Sequence, residues 1–393
     1  MTDRGLVVMN DCKKLFDTID NLKEEFISHW INISNIESPT LFKEGLDKVG
    51  QYFIDYAKKE GWDVEVLEHE TAGNSVCITM NKDVPNAPIT LSGHIDTVHP
   101  VGSFGTPPVK VKDDFIYGPG VTDCKGGTVA ALCAMKALKT VGFNTRPVQL
   151  VLQTDEELGS MPSGRKTIEF MTKKAKDSIC FLNCESSRLG ESSAVLWRRG
   201  ITKYRFDIKG VSIHASKCDH GASAITEAAH KIIELEKMKD TNGLTCNCGI
   251  IEGGTAVNTV PENCYFYAEV RYNTNAEKEE GYKKVKSIAE TTFIKGTTCT
   301  FTEEANRFAM EKCQRNFELL DRMNEIYKAN GLPELAARQS LGGSDAADMT
   351  VAGIPCVDSI GTDGDFIHTT KEYGVLSSLA QATKRIAVVC YMI

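Results

Sequence analysis

Short apolar runs alternate with stretches of helical spacing in the first part of the chain. The runs are bounded by proline, glycine or polar residues and lie in APITLSGHID (87–96), RPVQLVLQTDEE (146–157) and DSICFLNCE (177–185). Between the first two runs, GGTVAALCAMKALKTVG (126–142) has the spacing of a helix. Runs of this kind are typical of buried parallel strands joined by crossover helices. The pattern therefore predicts an α/β domain built on a mostly parallel sheet.

The same alternation returns near the end of the chain. FELLDRMNEIYKANG (317–331) has helical spacing and ends at Gly331, and IPCVDSIG (354–361) is another predicted buried strand. The main α/β domain should therefore be built from two separate parts of the chain, 1–188 and 305–393.

Polar and apolar residues alternate singly in the middle of the chain, as in strands with one face in water. Such strands are predicted in SAVLWRRGITKYRFDIKG (193–210), GLTCNCGII (243–251), NCYFYAEVRYN (263–273) and TTCTFTEE (297–304). Helical spacing occurs in 223–238 and 276–294. The order β-α-β-β-α-β predicts a ferredoxin-like α+β domain inserted at 189–304.

Size and charge narrow the class of protein. A chain of 393 residues is longer than one hydrophobic core usually supports, which agrees with two domains. The net charge is -8 and there is no block of Lys and Arg, which argues against nucleic acid or anionic membrane as the partner. No stretch reaches the roughly 18 apolar residues of a membrane helix. A small-molecule partner is expected.

The cysteines and the N-terminus bear on the compartment. The 14 cysteines include no C-x-x-C pair, and many lie in apolar segments where reduced thiols pack as small hydrophobes. The first residues, MTDRGLVVMNDCKKLF, contain acids and lack the apolar core of a signal peptide. We therefore expect a cytoplasmic protein with free thiols.

Residues of one chemical kind follow the predicted strands of the α/β domain. Ligands of open parallel sheets bind beyond the carboxyl ends of the strands, which makes these positions candidates for function. They are His94 and Asp96, Asp123, Glu156 and Glu157, Glu185, and His368. This nitrogen and oxygen set suits zinc and is compatible with manganese or cobalt.

Each candidate taken alone could be an ordinary surface residue. A lone His-x-Asp is common, and paired glutamates usually form a solvated face. Five separate segments, however, deliver a carboxylate or histidine to the same sheet edge. Charged side chains gathered there would repel one another without a cation. The glycines of YGPGVTDCKGG (117–127) form no complete phosphate-binding motif and are interpreted as allowing close backbone approach around Asp123.

These residues, in this order, resemble the co-catalytic zinc exopeptidases and deacylases. That family includes aminoacylase, acetylornithine deacetylase, succinyl-diaminopimelate desuccinylase and glutamate carboxypeptidase, and the glutamate carboxypeptidase branch is the most similar. The resemblance covers most of the chain. It is carried by GHIDTV, GPGVTDCKGG, TDEELGS, KGVSIHAS, AVNTVPENCYFYAEVRY, GGSDAADM and IHTTKEY.

The resemblance implies a two-zinc site in which Asp123 bridges the ions. It implies that His94 and Glu185 hold one ion and that Glu157 and His368 hold the other. Glu156 would be the general base, and Asp96 would orient His94. The resemblance further implies a cis peptide bond between Asp123 and Cys124. Cys124 itself departs from the family, where an aspartate or another small polar residue is expected at this position.

The inserted domain resembles the family's lid and dimerisation domain. This implies a homodimer in which His214 reaches the partner's active site and stabilises the oxyanion. It also implies that Arg271 and Asn258, with backbone donors at Gly343 and Ser344, bind the free α-carboxylate of the substrate.

The predicted function is therefore cleavage of an amide bond next to a free carboxylate in a small peptide. Deacylation of N-acyl amino acids by the same chemistry is the nearest alternative. A binding protein without metals is disfavoured because every ligand position is occupied. An aminopeptidase is disfavoured because it would need an acidic pocket where Arg271 stands.

Overall fold

The computed structural model describes residues 3–240 and 242–393, with side chains described from Cys12 onward. Residues 1, 2 and 241, which fall within the predicted catalytic and inserted domains, lie outside the described residues. The chain forms two compact units. The first contains the chain up to Leu196 with Lys312–Gln339 and Asp348–Ile393, and the second contains Trp197–Glu311 and Ser340–Ala347.

The described part of the chain contains helices and strands throughout its length. The helices are α1 Asp3–Asn21, α2 Lys23–Ser34, α3 Lys43–Lys59, α4 Gly126–Thr140, α5 Lys166–Ala175, α6 Ala224–Leu235, α7 Asn275–Glu290, α8 Gln314–Ala329, α9 Ala346–Val351 and α10 Leu376–Met392. The strands are β1 Asp63–Leu67, β2 Ser75–Met80, β3 Ile89–His94, β4 Lys110–Lys112, β5 Phe115–Tyr117, β6 Val148–Gln153, β7 Cys180–Asn183, β8 Ser187–Arg188, β9 Ser193–Arg198, β10 Gly200–Lys209, β11 Thr245–Gly253, β12 Asn263–Tyr272, β13 Thr298–Arg307, β14 Ala336–Ser340, β15 Cys356–Asp358, β16 Asp363–Asp365 and β17 Tyr373–Val375.

An eight-stranded sheet forms the centre of the first unit, in the order β1-β2-β6-β3-β7-β15-β9-β14. Its middle strands β6, β3, β7 and β15 are parallel, whereas β2 and β9 pair antiparallel to their neighbours. Every residue of β3, β6 and β7 is buried, as expected for strands that are covered on both faces of a sheet. The predicted α/β fold with a mostly parallel sheet is confirmed.

A smaller sheet of the first unit has the order β4-β5-β17-β16-β8. Strands of this sheet adjoin the segments that carry Asp123 and His368. The loop after β5 leads to Asp123, and His368 lies between β16 and β17.

The second unit is a four-stranded antiparallel sheet, β11-β12-β10-β13, with α6 and α7. Buried residues alternate with less buried ones along β10 and β12, which gives the sheet one apolar face. On that face the rings of Phe206 and Phe266 stack at 4.4 Å between centroids. The chain order β10-α6-β11-β12-α7-β13 is the β-α-β-β-α-β pattern that the sequence predicts.

The structure corrects the edges of the inserted segment. Ser193–Arg198, which we assigned to the second sheet, forms β9 and pairs with β15 in the large sheet. The run SAVLW is apolar on both faces, so it belongs in a sheet that is covered on both sides. Ser340–Ala347 in turn belongs to the second unit, where the Arg198 guanidinium donates to the carbonyls of Gly342 and Gly343 at 3.2 Å.

Two further sequence predictions can be compared with the structure. Within residues 3–240 and 242–393, the helices are too short or too polar to span a membrane. Cys77, Cys133, Cys180 and Cys390 are buried free thiols, as expected from their apolar segments.

Candidate metal centre

Asp123 lies in a π-helical turn, Val121–Lys125, between β5 and α4. The predicted cis peptide bond Asp123–Cys124 is present. Glycines let this segment approach its neighbours closely, since a Cβ at Gly127 would lie 1.7 Å from the carbonyl oxygen of Cys184. Gly120 has φ of 69°, in the left-handed region that favours glycine. The sequence GPGVTDCKGG therefore places Asp123 against the end of the sheet.

The other four predicted ligands also lie at this edge. His94 is the last residue of β3, Glu157 is in the turn Glu156–Leu158 after β6, and Glu185 follows β7 by two residues. Since β6, β3 and β7 are adjacent and parallel, their carboxyl ends bring these side chains together. His368 comes from the loop before β17.

The two oxygens of Asp123 face different partners. Asp123 Oδ1 lies 3.1 Å from His94 Nε2, and His94 Nε2 lies 3.7 Å from Glu185 Oε1. Asp123 Oδ2 lies 3.2 Å from His368 Nε2, which lies 3.2 Å from Glu157 Oε2. The five side chains therefore form two imidazole and carboxylate sets that share one carboxylate. This donor set fits two divalent cations with a bridging aspartate.

The protein's own charges at the site perturb one another strongly. Burial raises the pKa of Glu157 to about 7, and burial also raises the pKa of Glu185 well above its usual value. Hydrogen bonds to Asp123 and Glu157 raise the pKa of His368 to about 10. Burial opposes a charge on His94, but the surrounding acidic side chains still raise its pKa well above the usual range. Buried carboxylates with raised pKa values need positive partners, which agrees with a cation site.

Asp96 contacts both His94 and the segment that carries the glutamates. Its Oδ1 lies 3.3 Å from His94 Nδ1 and accepts the Glu156 backbone N–H at 3.2 Å. Its Oδ2 accepts the Glu157 backbone N–H at 3.1 Å and the Thr40 hydroxyl at 2.8 Å. The sequence predicted the contact with His94, whereas the two backbone contacts depend on tertiary structure and were missed.

Glu156 begins the turn that follows β6 and is 7% exposed. Its neighbour Asp155, which was not among the predicted candidates, is fully buried. Asp155 Oδ2 accepts the Ser163 backbone N–H at 2.9 Å and its Oδ1 accepts the Thr167 hydroxyl. The segment that carries Glu156 and Glu157 is thus held from both sides.

Cys124 is a sulfur-containing candidate near the ligands. Its Sγ, His94 and Glu185 offer ligand atoms within 4.8 Å of one another. The His94 backbone N–H donates to Cys124 Sγ at 3.1 Å, however, and burial raises the pKa of the thiol to about 12. A thiol coordinates metals as the thiolate, so Cys124 is better explained as packing beneath His94.

Two of the predicted lid residues are neighbours in the second unit. The backbone N–H of Ala215 donates to the Asn258 carbonyl at 2.9 Å, and His214 pairs with Thr259. His214 is exposed, and its Nδ1 accepts the Ser216 backbone N–H at 3.2 Å. In a neutral ring this places the proton on Nε2, which can then donate outward.

Arg271 contacts the loop that carries Gly343 and Ser344. Its Nη1 donates to the Leu341 carbonyl at 2.8 Å and its Nε to Glu269 Oε1 at 2.7 Å. Ser344 is fully buried, and its Oγ accepts the backbone N–H of Ala346. The second unit therefore brings Arg271 and this loop together.

Comparisons with known proteins agree with this fold and site. A family model described as Peptidase family M20/M25/M40 matches residues 90–391. Carboxypeptidase G2 of Pseudomonas sp. (strain RS-16) is 26% identical over 372 residues, covering 93% of this chain and 88% of the relative. Acetylornithine deacetylase of Myxococcus xanthus is 29% identical over 212 residues, which is 50% of this chain and 53% of the relative.

Among solved structures, the aminopeptidase PepT of Bacillus cereus has a TM-score of 0.75 at 22% identity and covers 94% of this chain and 98% of its own. At this identity the likeness shows the fold. Fold, site and relatives together define the class as hydrolytic enzymes of the peptidase and deacylase type. The chain belongs to the peptidase family M20/M25/M40.

Proposed function

We propose that this hydrolase uses two zinc ions to cleave an amide bond next to a free α-carboxylate in a small peptide. The observation that carries the proposal is that the two oxygens of Asp123 face two different histidines, His94 and His368, each beside a further carboxylate. Manganese or cobalt would fit the same donors. When bound, two divalent cations would act as Lewis acids on the substrate carbonyl and lower the pKa of the attacking water.

The protein side chains then have distinct tasks. Glu156 accepts the proton of the attacking water and passes it to the leaving nitrogen. Asp96 holds the ring of His94 and, through two backbone contacts, the segment that presents Glu156. The position of the base therefore depends on the same carboxylate that orients a ligand.

For the substrate carboxylate we propose Arg271 as the main cationic partner. A planar guanidinium can donate two parallel hydrogen bonds to a carboxylate, and Arg271 already contacts the 341–344 loop. Asn258, Gly343 and Ser344 would add neutral donors. This choice favours a carboxypeptidase or dipeptidase over an aminopeptidase, which would recognise a free amine.

His214 is proposed to donate its Nε2–H to the carbonyl oxygen as that oxygen gains negative charge. In keeping with the family resemblance, we propose that it does so from the partner subunit of a homodimer. The buried free thiols of Cys133, Cys180 and Cys390 support a reducing, cytoplasmic location.

Deacylation of N-acyl amino acids is the second candidate. It uses the same carboxylate recognition and the same base, and the similarity to acetylornithine deacetylase favours it. The two candidates differ in the group on the other side of the scissile amide.

The test is hydrolysis of matched panels of dipeptides and N-acyl amino acids by the Zn²⁺-loaded protein. Each panel includes C-terminal amides that lack the free carboxylate. We expect activity on dipeptides, and at least about a hundredfold loss on the amides, because the guanidinium would lose its anionic partner. Activity confined to N-acyl substrates would replace the peptidase proposal with the deacylase.

The base assignment is tested with Glu156→Gln, which keeps the size of the side chain. We expect kcat to fall by about 10² to 10⁴ with metal content unchanged. Glu169→Gln, an exposed glutamate of the same unit, is the matched control and should keep wild-type activity. Full activity of Glu156→Gln would remove Glu156 as the base.

A further inference from the structure

Glu372 is a fully buried glutamate for which the proposed mechanism has no task. Its carboxylate accepts four hydrogen bonds. Oε1 accepts the backbone N–H groups of Thr122 at 2.9 Å and Asp123 at 3.1 Å. Oε2 accepts the Gly120 backbone N–H at 3.1 Å and lies 2.7 Å from His99 Nε2. Four donors hold this buried carboxylate in one position, because hydrogen bonds to an ionised group are short and strong.

Most backbone N–H groups of segment 118–123 donate their hydrogen bonds to Glu372. Besides the three contacts to the carboxylate, the Gly118 N–H donates to the Glu372 carbonyl at 3.4 Å. The Val121 N–H donates to the Gly118 carbonyl, and Pro119 has no N–H. Every backbone donor from 118 to 123 is therefore accounted for, and four of them go to Glu372.

Glu372 is tied to the metal ligand His368 by a short turn. The Thr369 N–H donates to the Phe366 carbonyl, and the Glu372 N–H donates to the Thr369 carbonyl, both at 3.1 Å. His368 Nε2 in turn lies 3.2 Å from Asp123 Oδ2. Glu372 therefore contacts the backbone of Asp123, the side chain of Asp123 contacts His368, and His368 is joined to Glu372 by the turn.

We propose that Glu372 is a positioning residue that sets the place of Asp123 relative to His368. The inference rests on the proposed two-metal function, and it assigns a residue that acts through a ligand without touching substrate. Both oxygens of Glu372 must accept, so an amide would not replace the carboxylate. In Glu372→Gln the NH₂ group would replace one of the two accepting oxygens and would face backbone N–H donors. A buried N–H would then have no acceptor.

A purely structural role would also make Glu372 sensitive to substitution, so a matched control is needed. Glu227 is 1% exposed in the second unit, and its Oε2 accepts the backbone N–H groups of Phe293 and Ile294 at 2.9 and 2.7 Å. Glu227→Gln therefore removes a buried carboxylate of similar bonding from a part of the chain that holds none of the proposed ligands.

The experiment titrates wild type, Glu372→Gln and Glu227→Gln with Co²⁺ alone, following the visible absorption of the bound ion, and then measures kcat and KM at saturating metal. For folded Glu372→Gln we expect the Co²⁺ dissociation constant to rise about 10 to 100-fold, with a similar fall in kcat and little change in KM. Glu227→Gln should bind Co²⁺ as the wild type does. A rise of less than fivefold for Glu372→Gln, or an equal rise for Glu227→Gln, overturns the proposal.

If Glu372→Gln does not fold, His99→Leu replaces it, since this change removes a donor from the same carboxylate. We then expect faster amide exchange of segment 118–123 and at least threefold weaker Co²⁺ binding, and an unchanged result in either measurement overturns the proposal. Amide exchange of the wild-type segment needs no metal. A wild type that shows slow exchange but binds no Co²⁺ would refute the proposed function, whereas fast exchange would refute the role of Glu372.

Discussion

The two carboxylate oxygens of Asp123 face different partners, so substitutions at the proposed shared ligand and at a proposed terminal ligand have different expected consequences. Asp123 contacts both imidazoles, whereas His368 contacts only the Oδ2 side of the site among the described ion pairs. The side chain of His368 is 52% exposed, so its replacement should not disturb the fold.

We expect His368→Gln to retain about one ion per chain and Asp123→Asn to retain less, because the amide of asparagine is a weaker bridging group than a carboxylate. The measurement is zinc content by mass spectrometry after dialysis against a weak chelator. Equal loss in the two variants would mean that the histidine and carboxylate sets do not act separately.

Metal binding should also release protons, because protons and cations compete for the same side chains. The pKa of His368 is raised to about 10 by its hydrogen bonds to Asp123 and Glu157, so its ring carries a proton below that pH. A ligating imidazole is neutral, and binding must therefore remove this proton. Affinity should rise as pH increases toward 10 and fall as pH decreases.

Between pH 8 and pH 7 we expect the Co²⁺ dissociation constant to rise by roughly tenfold for each proton released. Calorimetry in two buffers of different ionisation enthalpy counts the protons directly. His368→Gln is the control and should release about one proton fewer. An affinity independent of pH in this range would contradict the proton competition.

The sequence predicted the candidate ligands because each one follows an apolar run or precedes a helix, where a histidine or carboxylate contrasts with its apolar neighbours. Glu372 gave no such signal. It lies in a polar stretch, TTKEYG, where an acidic residue is ordinarily solvated. Its burial follows from folding of the Gly118–Asp123 loop around it, which no local pattern reveals.

At the scale of elements, the turn after β6 is held by Asp96, which belongs to the strand-end segment after β3. The carboxylate accepts the N–H groups of Glu156 and Glu157 and the hydroxyl of Thr40. Asp96→Asn exchanges one of these oxygens for a donor. It should therefore loosen the turn and weaken one of the two contacts of Asp96 with the ring of His94, since the Asp96 carbonyl oxygen stays 3.1 Å from Nδ1.

We expect Asp96→Asn to lower kcat by about 10 to 100-fold. Thr40→Val removes only the hydroxyl contact and should cost less than about tenfold. Steady-state kinetics at saturating zinc, with thermal unfolding as the check on folding, compares the two. If both variants lose the same activity, the backbone contacts are not what Asp96 contributes.

The strands themselves show where element prediction fails. Strands with a clear sequence pattern, namely the buried apolar runs of β3 and β6 and the alternating β12, were assigned to the correct sheet. SAVLW was not, because it adjoins the alternating ITKYRFDIK in sequence and nothing between them but Arg198, Arg199 and Gly200 marks the change of sheet. Membership of a sheet is set by pairing with β15, which is more than 150 residues away along the chain.

At the scale of the whole molecule, the proposed ligands and the proposed lid residues lie in different units. His94, Asp123, Glu157, Glu185 and His368 are in the first unit, and the second contains His214, Asn258 and Arg271. The periodicity of the insertion predicted this division. The return of Ser340–Ala347 to the second unit could not be read from the sequence, because it depends on contacts with Arg198 and Arg271.

This separation allows a test of the proposed homodimer. Glu156→Gln removes the base from one unit, and His214→Ala removes the proposed oxyanion donor from the other. If His214 acts on the partner's site, a hybrid dimer of the two variants has one site with both defects and one with neither. Random exchange makes half of the dimers hybrids, so the mixture should regain about a quarter of wild-type activity.

The two variants are mixed under conditions that allow subunit exchange, which mass spectrometry of differently tagged chains verifies. Each variant alone should be at least about a hundredfold less active than wild type. If His214 instead serves the site of its own chain, every site in the mixture has one defect and activity stays at the level of the separate variants. A verified hybrid without recovered activity would therefore exclude the reach of His214 across the dimer while leaving the base assignment of Glu156 intact.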